Sequence, residues 1–333
     1  MPIPKLLEGR LTLPVVAAPM FIVSGPELVI AQCKAGVVGS FPALNARPQE
    51  QLDAWLTRID AELRDHAEAH PEARVAPYAV NQIVHASNAR LLADMTTCAR
   101  HRAPIIITSL RPPGEVVRAA HDWGGVVFHD VISVRHAEKA IEAGVDGLIL
   151  VAAGAGGHAG PLSPFALIQE VRAIYDGPIL LSGAIATGQA VLAAQAAGAD
   201  LAYVGTRFIA TEEANAAPAY KRMLIDGAAK DIVHSSLFTG VAGNYLKPSI
   251  AAAGLDPDAL PSGDKSAMDF AKAELKSDAK AWRDIWGAGQ GLGAISDAPS
   301  VAAVVARMAE EYAAARVALT AASTPFGAAA GVA

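Results

Sequence analysis

Short apolar runs alternate along the chain with longer segments whose apolar residues recur at helical spacing. Eight of the short runs are apolar at most positions and rich in Val, Ile and Leu, which is typical of strands buried on both faces of a parallel sheet. These eight predicted strands are residues 13–20, 37–41, 73–81, 104–110, 125–131, 147–152, 178–185 and 201–209. The segments between them predict helices, the first of which begins with Ser24 as its N-cap and ends at Gly36.

Eight strand–helix units in succession predict a (β/α)8 barrel. The alternative is an open doubly wound sheet, which usually carries a glycine-rich turn directly after its first strand. Here the first strand continues into AAPMFIVSGPE at residues 17–27, which has no GxGxxG pattern. We therefore predict an α/β fold in which residues 1–210 form a TIM barrel.

The pattern changes after residue 210. Segments 212–232, 267–286 and 299–320 predict helices, whereas 252–266 is rich in Pro, Gly and Asp. This part of the chain has too little β-character to predict a second sheet. We expect residues 211–320 to form a helical extension packed on the barrel, followed by a frayed tail at 321–333.

Composition narrows the class of protein. Apolar residues make up 52% of the 333 positions, which is enough for a large core, and charged residues make up 18%. A net charge of −6 argues against a nucleic-acid-binding surface. The two cysteines, Cys33 and Cys98, lie in helix-like runs without a CxxC partner and predict reduced thiols. With neither a signal-peptide pattern nor a membrane-length apolar run, the sequence predicts a cytoplasmic protein without a membrane partner.

The active site of a (β/α)8 barrel lies at the carboxyl ends of its strands, so those ends are where chemistry is expected. Small residues lie in the carboxyl-terminal part of the seventh strand at Ser182 and Gly183, and of the eighth strand at Gly205 and Thr206. Exposed backbone N–H groups at such turns bind phosphate well. The alternative is that small residues only make the turns tight.

The sixth strand ends in AAGAGGHAG at residues 152–160. Glycines such as Gly156 and Gly157 allow the backbone to approach a flat ligand closely. His158 is the one titratable residue of this loop, and a neutral imidazole can accept or donate a proton near pH 7. The alternative is a histidine solvated on a surface loop.

Other polar residues end neighbouring strands. His129 and Asp130 end the fifth strand and are expected to line the same site, and His85 follows the third. A metal site would join these three residues with His158, but they have no recognisable ligand spacing. We therefore predict no metal.

Several of these segments resemble the nitronate monooxygenase family, formerly called 2-nitropropane dioxygenases. The resemblance spans residues 11 to 320. Its most specific motifs are AAPM (17–20), Asn81, GGHAG (156–160), LSGAIATG (181–188), GADLAYVGTRFIAT (198–211) and WGAGQGLGAI (286–295). The resemblance implies a (β/α)8 flavoprotein that binds FMN.

The family also implies where FMN would lie. Its phosphate is expected near Gly183, Gly205 and Thr206, and its isoalloxazine ring against Met20 and Asn81. His129 stands where family members often carry Lys, and we include it among the expected cofactor contacts. His158 matches the active-site base of the family.

The implied reaction is the oxidation of alkyl nitronates or nitroalkanes by O2 to a carbonyl compound and nitrite, with His158 as base or as holder of the anion. The motif at 286–295 is similar to a subgroup that includes NADH:quinone reductases, so an NAD(P)H:quinone reductase is the alternative. A third reading is a flavin-binding barrel without catalysis, against which the imidazole in the glycine loop argues. Small molecules are the expected partners, and a homodimer through the extension is left open.

Overall fold

The computed structural model describes residues 3–261 and 284–321. Eleven strands are present in this part of the chain. They are β1 (Val15–Ala17), β2 (Gly39–Pro42), β3 (Tyr78–Val84), β4 (Ile105–Leu110), β5 (Val126–Val131), β6 (Gly147–Val151), β7 (Gly157–His158), β8 (Ile179–Ser182), β9 (Leu201–Val204), β10 (Ile232–Ser235) and β11 (Gly243–Leu246).

Eight of the strands form one parallel sheet in the order β1-β9-β8-β6-β5-β4-β3-β2. A parallel bridge between Val16 and Val38 joins its two edges. There Ala17 N donates to Val38 O at 2.8 Å and Val38 N donates to Val15 O at 3.1 Å. The sheet is thus closed into the predicted (β/α)8 barrel, and a closed sheet leaves no edge strand exposed.

Helices connect the strands on the outside of the barrel. They are α1 (Pro26–Lys34), α2 (Gln51–Ala69), α3 (Leu91–Arg100), α4 (Gly114–Asp122), α5 (Val134–Glu142), α6 (Pro164–Arg172), α7 (Gly188–Ala197) and the short α8 (Thr206–Ile209), with α9 (Pro218–Asp226), α10 (Lys247–Ala252) and α11 (Val301–Ala321) following. The N-cap predicted at Ser24 is wrong: Gly25 is the N-cap of α1, and Ser24 Oγ instead accepts from Met20 N at 3.0 Å.

The alternation of side chains along each strand builds two cores. Phe128, Ile149 and Leu180 point into the barrel, where they form a fully buried cluster with residues of the other strands and with Leu7. The intervening residues, such as Val127 and Leu148, pack against the surrounding helices. This double burial is the reason that the strands are apolar at most positions.

The extension contains a sheet that was not predicted. The sequence predicted no second sheet, yet β10, β11 and β7 form a three-stranded antiparallel sheet. β7 is the Gly157–His158 dipeptide of the loop after β6, and it pairs with Gly243 and Asn244 of β11. The histidine loop is therefore fixed to the extension by backbone hydrogen bonds.

Residues 212–232 were predicted as one helix, but α9 occupies only Pro218–Asp226 of them. The helix predicted at 299–320 is confirmed as α11, whereas most of the one predicted at 267–286 and nearly all of the tail at 321–333 lie outside the described residues. Within the described ranges, no helix is both long enough and apolar enough to span a membrane.

Candidate active site

A cavity of about 1080 Å³ opens at the carboxyl ends of the barrel strands. The extension closes part of its wall with residues that include Tyr220, Trp286 and Gly289. Ten residues predicted for the site line this cavity. They are Met20, Asn81, Asp130, Gly156, Gly157, His158, Ser182, Gly183, Gly205 and Thr206.

Backbone donors are concentrated at the ends of β8 and β9. The N–H groups of Gly183, Gly205 and Thr206 donate no hydrogen bond to another residue that the structure describes. Gly183 has φ +136°, and a Cβ at this position would lie 2.7 Å from Ala153 O, so both its conformation and its surroundings require glycine. These two turns therefore offer N–H donors to an anionic group in the cavity.

Met20 follows β1 and is held by hydrogen bonds to its backbone. Its N–H donates to Ser24 Oγ at 3.0 Å, and its carbonyl accepts from Asn45 Nδ2 at 3.0 Å. A Cβ at Gly205 would lie 3.8 Å from Met20 Sδ, so the thioether lies beside the turn after β9. Met20 thus occupies a defined place between the ends of β1 and β9.

A chain of polar side chains crosses the ends of β3, β4 and β5. Asn81 Nδ2 donates to Ser109 Oγ at 3.0 Å and to Ile107 O at 3.3 Å, and Ser109 Oγ donates to Asp130 Oδ2 at 2.6 Å. Because the Ser109 proton goes to the carboxylate, its oxygen has to accept from Asn81, which fixes the amide orientation. Burial raises the pKa of Asp130 to about 7, and the Ser109 hydrogen bond opposes this shift.

His129 is placed differently from its neighbour Asp130. It is buried, it is not among the described residues that line the cavity, and its Nδ1 lies 2.8 Å from Thr108 Oγ1. Burial lowers the pKa of His129 to about 4. Since successive strand residues face opposite sides, Asp130 faces the cavity while His129 faces away from it. The expected cofactor contact at His129 has no support in this arrangement.

His158 lies on β7 with its ring directed at the extension. Its Nε2 lies 2.9 Å from Thr239 Oγ1, and that hydroxyl also donates to Val241 O at 3.0 Å. Since the one hydroxyl proton goes to Val241, Nε2 is the donor to Thr239 and the neutral ring carries its proton there. Burial lowers the pKa of His158 to about 4, so the imidazole is neutral at pH 7.

The glycines around His158 have a packing role that the sequence did not reveal. A Cβ at Gly156 would lie 2.7 Å from Gly289 N, and a Cβ at Gly289 would lie 2.6 Å from Gly154 O. Gly243 approaches Gly157 equally closely, with 2.8 Å from its Cβ position to Gly157 O. The glycine run therefore allows backbone-to-backbone contact with the extension as well as lining the cavity.

Three contributors to the site were missed from the sequence: Ser109, Thr239 and Tyr220. Ser109 ends a strand beside the Asn81 strand, so the order of the barrel strands was the available signal. Tyr220 stacks on Trp286 with ring centroids 4.8 Å apart, and its hydroxyl donates to Gly287 O. Thr239 and Tyr220 belong to the extension, where no local pattern indicates contact with the barrel.

No group of three or more His, Cys, Asp or Glu residues is arranged to hold a metal ion in the described part of the chain. His85 is not among the described cavity-lining residues, and its Nδ1 lies 2.8 Å from Ser87 Oγ. The residues grouped in the metal alternative are therefore not brought together.

Comparison with known proteins agrees with the resemblance seen in the motifs. The sequence model of the nitronate monooxygenase family matches residues 6–311. The chain belongs to the nitronate monooxygenase family. The match includes both the barrel and the WGAGQGLGAI segment of the extension that packs on the His158 loop.

Relatives of this nitronate monooxygenase family member carry more than one name. A nitronate monooxygenase of Paraburkholderia phytofirmans is 28% identical over 314 residues, which cover 80% of this chain and 82% of that protein. A (3aS,4S,5R,7aS)-5-hydroxy-7a-methyl-1-oxo-octahydro-1H-indene-4-carboxyl-CoA dehydrogenase of Rhodococcus jostii is 27% identical over 237 residues, which cover 71% of this chain and 63% of that one.

For two of the curated relatives it matches, the chain spans only 40% and 63% of the relative's length. Among solved structures, the nitroalkane oxidase from Streptomyces ansochromogenes superposes with a TM-score of 0.74 and 23% identity, covering 95% of this chain and all of that one. At this identity the structural likeness establishes the fold of the family member and no more.

Proposed function

We propose that this nitronate monooxygenase family member is an FMN-dependent oxidoreductase that converts alkyl nitronates or nitroalkanes and O2 into a carbonyl compound and nitrite. The observation that carries the proposal is His158. A neutral imidazole lies on the wall of the cavity at the carboxyl ends of the barrel strands, where barrel enzymes carry their catalytic groups. The family membership supports the same reaction class.

The residues of the cavity fit FMN. The N–H groups of Gly183, Gly205 and Thr206, which have no partner among the described residues, suit a phosphate. Met20 and Asn81 would lie against the ring system. When bound, FMN supplies the redox chemistry, and the protein supplies binding, orientation and electrostatics.

His158 would move the proton. In its neutral form the imidazole accepts the α-proton of a neutral nitroalkane and gives the nitronate. Because the ring is neutral at pH 7, the role of base is favoured. Holding the nitronate anion would require the charged imidazolium. A substrate supplied as its nitronate has already lost that proton.

The test is anaerobic mixing of the purified protein with propyl-1-nitronate, NADH or NADPH while the flavin absorbance is followed. Reduction by the nitronate, followed by nitrite formation in air, is expected. A flavin that NADH or NADPH reduces rapidly and the nitronate does not would overturn the proposal in favour of a reductase.

Replacement of His158 by Asn tests its role. His158→Asn should retain FMN and lose about 10²–10⁴-fold of kcat/KM for a neutral nitroalkane, because no general base remains. Turnover of the matching nitronate should fall much less. Equal losses on both substrates would show that His158 does not act as the base.

The second candidate is an NAD(P)H:quinone reductase on the same FMN site. The observation in its favour is the size of the cavity. Its volume of about 1080 Å³ is at the upper end of the range for small-molecule sites, so it has room for a second planar molecule beside FMN. Such a reductase needs a dinucleotide groove, to which the polar segment 252–266 could contribute, and this segment is described as far as residue 261.

Location and assembly are part of the proposal. Cys33 and Cys98 are buried free thiols, which supports a reducing compartment such as the cytoplasm. A homodimer would use the extension, where Val317 and Leu319 expose apolar side chains on α11. Sedimentation analysis of the purified protein tests that assembly.

A further inference from the structure

Asp130 is an ionisable group of the cavity that the proposed reaction does not use. Its Oδ2 accepts from Ser109 at 2.6 Å, whereas its Oδ1 is buried and has no hydrogen-bond partner among the described residues. No cationic side chain of the described chain forms an ion pair with it. A buried carboxyl with one hydrogen bond and no counter-ion holds its negative charge poorly.

The groups that face Asp130 are neutral ones from three other strands. Ser109 on β4 donates to it, and Asn81 on β3 donates to Ser109. Burial, with a smaller contribution from the negative charge of Asp130, raises the pKa of Tyr203 on β9. The titratable groups His136 and His158 line the same cavity. Asp130 is thus linked by two hydrogen bonds to Asn81, which is expected to lie against the flavin ring.

We propose that Asp130 is a positioning residue that sets the reduction potential of the bound flavin by taking up a proton when negative charge develops on the ring. The inference rests on the proposed FMN site. Two electrons from the reductant and one proton leave the reduced ring with one negative charge. A second proton, taken from solvent by the Asp130 carboxylate, removes the repulsion between the two charges.

The test is the midpoint potential of the bound flavin from about pH 5 to about pH 9. It is measured by slow anaerobic reduction with xanthine and xanthine oxidase beside a reference dye. The wild-type potential should fall more steeply with pH than that of Asp130→Asn. At about pH 8.5 and a fixed potential, the ratio of reduced to oxidised flavin should be roughly tenfold higher in the variant than in the wild type. Near pH 5 the two proteins should have the same midpoint potential.

A second variant keeps the proposal testable if Asp130→Asn binds flavin poorly. Ser109→Ala removes the hydrogen bond that stabilises the carboxylate, so the steep part of the wild-type curve should move to higher pH. Asp122→Asn, an exposed carboxyl on α4, is the matched control and should leave the curve unchanged.

Parallel curves for the wild type and Asp130→Asn, or an unshifted curve for Ser109→Ala, would overturn the role of Asp130 and leave the proposed function standing. A wild-type protein that binds no flavin would overturn both.

Discussion

At the scale of single residues, burial shifts the pKa values of two cavity residues in opposite directions. It lowers the pKa of His158 to about 4 and raises that of Asp130 to about 7. Both shifts favour the neutral form, because a charge loses hydration when it is buried. Near neutral pH the cavity therefore holds a neutral base, and its acid lies close to its titration point.

The pH dependence of the reaction follows from the His158 shift. Only the neutral ring abstracts a proton, and a pKa of about 4 keeps the ring neutral through the range in which an unperturbed histidine becomes charged. We expect kcat/KM for a neutral nitroalkane to stay level down to about pH 5 and to fall about tenfold per pH unit below about pH 4. A pH–rate profile with its acid limb near 6.5 would contradict this.

The residues of the site were predictable in part. The ends of the strands indicated His158 and the small residues at the ends of β8 and β9, because a barrel brings all carboxyl ends to one face. Asn81 was indicated only by the resemblance to the family. The link from Asn81 through Ser109 to Asp130 was not predictable, because it depends on strand register and rotamers. The contact expected at His129 differs from Asp130 by one strand position, and that one position reverses the side-chain direction.

At the scale of elements, the barrel strands and their helices were predicted well because both have local patterns. Each strand is a short apolar run, and each helix has apolar residues at helical spacing. The sheet of β7, β10 and β11 was not predicted, because β7 is a dipeptide of Gly157 and His158 that pairs with a strand some 85 residues later. Its partners mix polar and apolar residues and have no clear period. Such a sheet is specified by non-local contacts, which single-sequence patterns do not record.

The contact between the His158 loop and the extension gives a prediction at this scale. Gly289 has an extended backbone that alanine also adopts, but a Cβ there would lie 2.6 Å from Gly154 O and 3.0 Å from Gly156 N. Gly289→Ala should lower the free energy of unfolding by about 1–3 kcal/mol, because both neighbours are backbone atoms that have to shift. Urea denaturation measures this effect.

The matched control is Gly114→Ala at the start of α4, where the nearest atom to a Cβ is Arg118 Nη1 at 3.7 Å. That variant should be neutral or slightly stabilising, because alanine favours a helix. Equal stabilities for the two variants would show that the close approach at Gly289 relaxes without cost.

At the scale of the whole molecule, α11 joins the extension to the barrel. Glu311 Oε2 accepts from Gly188 N at 2.7 Å at the beginning of α7, and Tyr312 Oη donates to Gln195 Oε1 at 2.5 Å. Val304, Val305 and Met308 are buried beneath this contact. The helix was predictable from its apolar spacing, but the surface it covers was not.

Truncation of a buried side chain on α11 should weaken the whole fold. Met308→Ala should lower the free energy of unfolding by about 2–4 kcal/mol, because it leaves a cavity between α11 and the barrel. Glu310→Ala, at an exposed side chain on the same helix, should change it by less than about 0.5 kcal/mol. Chemical denaturation of both variants measures these changes. A similar loss of stability in both, or in neither, would show that α11 is not packed tightly on the barrel.

The backbone contact between residues 154–157 and 287–289 limits how the two segments can change, both in evolution and in engineering. At Gly156 and Gly289 an added Cβ would lie 2.7 Å and 2.6 Å from the backbone of the opposite segment, so neither position has space for a side chain. A loop grafted from a relative should therefore function only when its partner segment is transferred with it. In proteins that evolve from this sequence, a larger residue in one segment should be tolerated only where the opposite segment has changed so that its backbone lies further away.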